Sequence, residues 1–381
     1  MKTILGNLLA LLLLFGVSSQ SHATTDTTYS VDEHNTMQQT GPSSFVVGSP
    51  LYNYKQFALF AKIDTDGASL SATPVLNLPG GGTISFPQGV MTEPTHPTGA
   101  GYNRYQQSVS ATSISALNAI VSSGTFSLTM GDATESPTLP LDTVSPTFPP
   151  APALTSGGNW IGSSILINPA GSTTLNFNTS DFTTYTTGMG GQITYQIYDP
   201  NISPIVPATV SQYIPALGKT DAALSSYTIP PGILTPGVTY GLEANYYEIE
   251  AENTTSFTGT GIAGNPFGAS FYTARTMIAL VADPLSGTLK NNGIYNSPWF
   301  GHYQYEPYPL VYSYNLGYEY LFPAAPGLYL YDYATGHFWY TESDYYPFIY
   351  DFTLQTFLYY YVSNGAPRQF YDYATGMIIT Q

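Results

Sequence analysis

The chain has no cysteine and very little charge. Of its 381 residues only 8% are charged, with 24 acidic and 8 basic side chains and a net charge of −16. Without thiols there are no disulfides, no thiolate nucleophile and no iron–sulfur or zinc–thiolate site. The acidic balance repels phosphate backbones, which argues against nucleic acid as a partner.

Long apolar runs are also missing, except at the N-terminus. Lys2 precedes the apolar segment 4–17, and Ser21-His22-Ala23 has the small residues that signal peptidase requires, which predicts a signal peptide over residues 1–23. This segment is short for a membrane span, and no later stretch approaches the necessary length. We expect the mature chain to begin at Thr24, to be secreted or held at the outer cell surface, and to lack a transmembrane segment. An uncleaved anchor is the alternative.

Helix signals are scarce, whereas Thr, Ser, Gly, Pro and Tyr are abundant, which predicts an all-β fold rich in turns. Hydrophobic residues make up 43% of the chain, enough to bury a core and to disfavour disorder. One short helix is predicted over Ser113–Val121, capped by Ser113 and followed by Gly124.

The first predicted domain covers residues 24–145. Segments 56–63, 83–86 and 124–130 alternate apolar and polar residues as strands do, and 64–67 has the composition of a turn. These patterns predict a β-sandwich with one short helix. A proline-rich stretch, 146–152, follows and predicts a stiff linker.

The second predicted domain covers residues 153–283, with alternating segments that again indicate strands. Leu234-Thr235-Pro236-Gly237-Val238-Thr239-Tyr240 resembles the L-x-P-G-x-x-Y element of fibronectin type III domains. The resemblance implies an immunoglobulin-like β-sandwich in which the Tyr240 hydroxyl bonds back to the preceding corner and Leu234 fills the core. It also implies that Phe177 stands where such domains carry an early tryptophan.

The last predicted domain, residues 284–381, is dominated by aromatic residues. From Tyr295 onward there are 29 aromatic side chains, of which 20 are tyrosines. Segment 308–312 returns 38 residues later as 346–350, and Tyr-Asp-Tyr-Ala-Thr-Gly at 331–336 returns intact 40 residues later. The repeats predict an array of β-hairpins in which neighbours stack and glycines 336 and 376 take positive φ in the turns.

This array resembles the aromatic hairpin repeats at the C-termini of large, modular secreted proteins of Gram-negative bacteria. The array is also similar to choline-binding and glucan-binding repeats, with tyrosine where those repeats carry tryptophan. The resemblance implies contact with a surface polymer and leaves the ligand open.

Most rings in such an array are expected to pack, because short hairpins have little else to bury. The best candidates for exposed, ligand-binding rings are Trp299, Trp339, Tyr340, Tyr345 and Tyr359. In Tyr359-Tyr360-Tyr361, neighbouring strand residues face opposite sides, so at least one ring must point away from the interior.

No residue set in the sequence predicts a metal site, a cofactor or a catalytic centre. A calcium site stays open at 64–67, where a plain turn is favoured, and on the strand face of Glu248, Glu250 and Glu252, where an exposed acidic face is favoured. The histidines are scattered without ligand spacing. Asp332 and Asp372 hold the same position in successive repeats, which favours turn formers over a unique catalytic acid. The sequence therefore predicts a non-enzymatic protein.

Two non-enzymatic functions stay open at this level, and an enzyme is a third possibility that an exposed pair of carboxylates in a deep cleft would revive. The first is a secreted adhesion or binding protein whose aromatic repeats contact a polysaccharide or another surface polymer. The alternative is a structural component that self-associates into a surface layer or fibre.

Overall fold

The fold is seen in a computed structural model that describes residues 27–66, 73–86, 88–91, 102–129, 138–179, 182, 184–186, 189–206, 208–215, 219–253, 267–324, 327–362 and 367–381. The predicted signal peptide, residues 1–23, lies outside this part of the chain. The described residues form strands almost throughout, arranged in four sheets, with one short helix. The prediction of an all-β fold is confirmed.

The elements follow in chain order. The first group is β1 Thr27–Gly41, β2 Ser44–Val47, β3 Phe57–Asp66, β4 Val75–Asn77, β5 Thr83–Ser85, β6 Gln88–Met91, β7 Tyr102–Ala111, α1 Ile114–Asn118, β8 Gly124–Thr129 and β9 Thr138–Leu141. The second is β10 Ala153–Ser156, β11 Asn159–Ile161, β12 Ser164–Ile167, β13 Thr173–Asn178, β14 Gly191–Tyr198, β15 Thr209–Ile214, β16 Lys219–Thr220, β17 Ser226–Ile229, β18 Thr239–Asn253 and β19 Phe267–Ala282. The third is β20 Thr288–Leu289, β21 Ile294–Ser297, β22 Gly301–Tyr305, β23 Leu310–Ser313, β24 Gly317–Ala324, β25 Gly327–Asp332, β26 His337–Thr341, β27 Phe348–Asp351, β28 Thr356–Tyr361, β29 Gln369–Asp372 and β30 Met377–Thr380.

A central sheet of twelve strands joins both predicted sandwich regions. Its main path runs β16-β15-β14-β18-β19-β1-β3-β7-β6. The long strand β19 pairs antiparallel with β18 on one side. On its other side it pairs in parallel with β1 and then with β12. Strand β19 therefore carries hydrogen-bonded partners on both edges along nearly its whole length.

Two smaller sheets cover the central sheet and create two cores. The sheet β5-β4-β8-β9 encloses one core, in which Val31, Leu59, Leu128 and Leu117 of the short helix are buried. The Ser113 hydroxyl accepts a hydrogen bond from the Ala116 amide at 3.1 Å, so the predicted cap forms.

The sheet β10-β13-β17 encloses the other core, where aromatic rings pack closely. Phe177 stacks on Tyr195 at a centroid distance of 4.5 Å. The Thr235 amide donates to the Tyr240 hydroxyl at 2.9 Å, and Leu234 is buried beside it. The local bond that the Leu-x-Pro-Gly-x-x-Tyr element implies is therefore present.

A buried polar network ties β1, β18 and β19 together. The Asp32 carboxylate accepts a hydrogen bond from the Thr273 hydroxyl at 2.7 Å and lies 2.6 Å from His34 Nε2. Burial lowers the pKa of His34, and the neighbouring Asp32 carboxylate opposes this shift. Arg275 donates through Nε to Asn245 at 3.1 Å. The network crosses both edges of β19 and fixes its register.

The fourth sheet holds eleven strands, β20 to β30, each paired antiparallel with its neighbour in the chain. It is joined to the rest of the protein at Asp283, which follows β19 directly. The buried Asp283 carboxylate accepts hydrogen bonds from the Leu285 and Gly287 amides and from the Tyr303 and Tyr305 hydroxyls. Burial raises the pKa of Asp283, and the four hydrogen-bond donors offset part of the cost of burying its carboxylate.

Two local predictions need correction or qualification. The stretch 64–67 was expected to be a turn, but Asp64 and Asp66 lie within β3, where they pair with β7. Gly67 lies outside the described residues. The proline-rich stretch 146–152 contains no strand, as expected, yet Phe148 packs against Phe57 and Tyr272.

The boundaries of the predicted domains stay a prediction. Within the described ranges no helix is long and apolar enough to cross a membrane.

Buried Glu33 makes stability depend on pH. Its carboxylate oxygens have no hydrogen-bond partner among the described residues, and burial, with nearby Asp32 and Asp142, raises its pKa from 4.5 to about 8. The folded protein therefore holds a proton that the unfolded chain releases. This stabilisation is complete below pH 4.5 and is lost as the pH rises toward 8.

We predict that Glu33→Gln flattens this pH dependence. Urea midpoints of wild type and variant, measured at pH values on both sides of this window, should fall less for the variant, which should be the more stable protein at the alkaline end. Parallel curves for the two proteins would contradict the assignment of this proton to Glu33.

Candidate functional site

The eleven-stranded sheet separates its apolar residues by type. Positions that face its interior include the buried aliphatic residues Leu321, Leu330, Ile349 and Leu358, alongside buried rings such as Tyr360 and polar turn residues such as Asp351. Positions between them, which point to the other side, are mainly Tyr and Phe. The sheet therefore buries its aliphatic side chains together with six aromatic rings, and it turns most of its other rings outward.

Five turns of this sheet share one design. Each begins with an inward-facing side-chain oxygen that accepts backbone amides of the next residues; these are Ser297, Ser313, Asp332, Asp351 and Asp372. Each turn has positive φ at its fifth residue, namely Gly301, Gly317, Gly336, Gln355 and Gly376. The structural unit is thus one hairpin, half of the repeat seen in the sequence. The positive φ predicted for the two glycines is confirmed.

One of these turns carries an additional ion pair. Arg368 binds the Asp332 carboxylate through both terminal nitrogens, at 2.8 and 2.9 Å, and both side chains are buried. Burial works against ionisation, but hydrogen bonds from Arg368 and Thr335 hold the pKa of Asp332 below its usual value. Arg368 also donates to the Leu316 carbonyl at 2.6 Å. This residue therefore ties the start of β29 to the turns before β24 and β26.

Across the outer side, rings on neighbouring strands lie directly opposite each other. The pairs Tyr331–Phe338, Tyr329–Tyr340, Tyr350–Phe357 and Phe348–Tyr359 have centroid distances of 5.0, 5.1, 5.1 and 5.0 Å. Each is also a cross-strand pair in the sheet register. Such pairs stabilise a sheet and hold each ring in a defined orientation.

Three shallow depressions lie on this outer side. The central depression, of about 350 Å³, is lined by Ala324, Tyr329, Tyr340, Tyr345, Phe348, Tyr350, Phe352 and Phe357. The β24–β26 depression, of about 330 Å³, is lined by Tyr320, Phe322, Tyr331, Tyr333 and Phe338. The β27–β29 depression, of about 310 Å³, is lined by Phe348, Tyr359, Tyr361, Tyr371 and Tyr373. We call the rings that line them the aromatic face.

Three of the five candidate rings belong to the aromatic face. Tyr345 is 55% exposed, and Tyr340 is half-buried beside it in the central depression. Tyr359 is half-buried and lines the β27–β29 depression. Its neighbours confirm the predicted alternation, because Tyr360 is buried and Tyr361 is exposed. Whether these rings bind a ligand stays a prediction.

The other two candidates lie elsewhere. Trp339 was expected to be exposed, but its exposed fraction is 0%. It faces the interior opposite Asp351, to which its indole N–H donates at 2.9 Å. Trp299 is half-buried and packs edge-on against Phe300 and Tyr346. Trp339 occupies a strand position whose side chain faces the interior, and for this reason the expectation that it is exposed is wrong.

The aromatic face contains five phenylalanines, and none of them is among the candidate rings predicted from the sequence. Phe348, Phe352 and Phe357 line the central depression and are all exposed. A signal was present, because in 356–361 the residues Leu358 and Tyr360 alternate with outward rings. Alternation alone does not say which set of residues faces the interior.

No set of three histidine, aspartate or glutamate side chains within the described ranges is placed to hold a metal ion. No protein-family model matches the chain, and no curated protein matches it in sequence. The structure therefore defines a class and not a family: an all-β protein of several sheets with clusters of aromatic rings.

Substitutions of Asp332 and Asp372, which hold equivalent turn positions, test the role of the Arg368 ion pair. Asp332→Asn keeps a turn-forming oxygen but leaves the Arg368 guanidinium buried without its bidentate partner. Breaking a buried ion pair in this way costs about 3–5 kcal/mol. Asp372→Asn, at the same turn position, removes no such partner, and we expect a change of about 1 kcal/mol or less.

Chemical denaturation of the two variants measures this difference. Similar losses of stability for Asp332→Asn and Asp372→Asn would mean that the turn oxygen, and not the ion pair, stabilises the sheet.

Proposed function

We propose that this chain is a secreted, non-catalytic binding or adhesion protein whose aromatic face contacts a polysaccharide or a similar surface polymer. The observation that carries the proposal is the outward placement of rings that a soluble protein would otherwise bury. Tyrosine and phenylalanine offer flat apolar faces, and the tyrosine hydroxyls offer hydrogen bonds at the rim.

The size of the exposed surface supports a binding role. Ten rings of the aromatic face are exposed, namely Phe322, Tyr329, Tyr333, Phe338, Tyr345, Phe348, Phe352, Phe357, Tyr361 and Tyr373. Together these ten residues, with their hydroxyl and backbone atoms, expose on the order of 900 Å² to solvent, spread over the three depressions. The largest apolar patch on a typical monomer is about 300–600 Å² and is often functional.

For the architecture, we propose two β-sandwiches, residues 24–145 and 153–283, that carry the hairpin array of residues 284–381. Two separate buried cores and the Thr235–Tyr240 bond support a fibronectin type III-like second sandwich. In this arrangement the sandwiches lie side by side within one sheet and act as the base from which the array presents its rings.

The alternative function, self-association into a layer or fibre, draws on the same exposed rings. A flat apolar surface of this size would also suit the same surface of a second copy. The two functions differ in what covers the rings, which is a polymer in one case and a second copy of the chain in the other. A measurement of the protein's mass in solution therefore distinguishes them.

Affinity electrophoresis of the mature chain in gels that contain neutral and acidic glycans tests the proposal. We expect at least one glycan to retard the protein, and Tyr345→Ala with Phe357→Ala to weaken retardation roughly tenfold, since each lost ring contact is worth about 0.5–1.5 kcal/mol. Tyr314→Ala is the matched control, because Tyr314 is 47% exposed and lines none of the three depressions.

Unchanged mobility in every glycan would refute polysaccharide binding. Sedimentation velocity on the same samples then measures the alternative. A mass that rises with concentration and returns to the monomer in the double variant would support self-association through the aromatic face.

A further inference from the structure

The aromatic face has a charge and a shape that restrict its ligand further. From the chemistry of the described residues we infer that it takes an uncharged, extended glycan chain of β-1,4-linked sugars with equatorial hydroxyls, lying across the strands. This inference rests on the proposed polysaccharide binding and specifies its ligand.

The first argument is charge. Every residue that lines the three depressions is uncharged at neutral pH. Arg368 is the one lysine or arginine from residue 295 onward, and it is buried and bound to Asp332 on the inner side. At the rim, the Tyr340 hydroxyl donates to the Glu342 carboxylate at 3.3 Å. A polyanion would therefore find carboxylate and no cation beside these rings.

The second argument is the shape of the sugar. A ring that stacks on tyrosine or phenylalanine must offer a flat apolar face, while its polar groups point outward to the rim. A hexopyranose with equatorial hydroxyls offers such a face, made of axial C–H bonds. An axial hydroxyl would point into the aromatic ring, where it would lose its hydrogen bonds to water.

The third argument is the direction of the chain. The β24–β26 depression shares its three strands with the central one and is displaced from it along them, and the central and β27–β29 depressions share Phe348. One row of opposed residues, Phe322, Tyr329, Tyr340, Tyr350 and Phe357, crosses β24 to β28 and borders both of the first two depressions. Phe322 of the first lies opposite Tyr329 of the second in the sheet register. The track from β24 to β29 spans five strand spacings, or about 24 Å. A straight ribbon-like chain contacts all three depressions, whereas a coiled chain contacts only one at a time.

Calorimetric titration of the mature chain with oligosaccharides of matched length tests this inference. We expect affinity to rise from the β-1,4-linked glucose disaccharide to the hexasaccharide, at least tenfold. The α-1,4-linked hexasaccharide, the β-1,4-linked mannose hexasaccharide with its axial hydroxyl, and the β-1,4-linked glucuronate oligomer should each bind at least tenfold more weakly.

Variants at the two ends of the track test its length. Tyr333→Ala and Tyr361→Ala should each weaken binding of the hexasaccharide several-fold and leave the disaccharide unchanged, whereas Tyr345→Ala should weaken both. Tyr314→Ala should alter neither. Circular dichroism and melting curves verify that each variant folds.

The outcomes separate the two levels of the proposal. Equal or tighter binding of the α-1,4-linked, mannose or glucuronate oligomer would overturn this inference and leave polysaccharide binding intact. Affinity that does not grow with length would also overturn it. If no glycan binds, polysaccharide binding itself is refuted, and this inference is refuted with it.

Discussion

The pairing of β19 with β1 is the interaction on which the rest of the architecture depends. These strands are distant in sequence, yet they run in parallel register from Thr28 opposite Phe267 to Gln39 opposite Ile278. Backbone hydrogen bonds on both edges of β19 join the strands that line the two cores into one sheet. The hydrogen bond from Thr273 to Asp32 fixes this register from within. Because β19 leads directly to Asp283, the same strand also sets where the hairpin array begins.

The hairpin array places many of its aromatic rings on an outer side that is exposed to solvent. Its interior has room for Leu and Ile between turns, while side-chain oxygens such as that of Asp351 satisfy the turn amides from inside. Six rings share this interior, and most of the others lie outside, where cross-strand contacts near 5 Å order them. An ordered aromatic surface loses little side-chain entropy when a ligand covers it, which favours binding.

Several features of the array could be read from the sequence because they depend only on local geometry. The turn at Asp332 and its copy at Asp372 follow from an acceptor side chain and a glycine at fixed spacing. The short helix at Ser113 and the corner at Tyr240 are likewise local. The exposure of Trp339 could not be read, because strand alternation defines two faces but does not say which one packs.

The sequence by itself determined the all-β class, the hairpin turns and the concentration of rings near the C-terminus, since strand alternation, turn formers and composition act over a few residues. Tertiary structure alone decided that β19 joins β1, that Arg368 reaches Asp332, and which rings, such as Trp339, are buried in the array while most others line its surface. These outcomes depend on contacts between residues far apart in the chain, and no local pattern encodes such contacts.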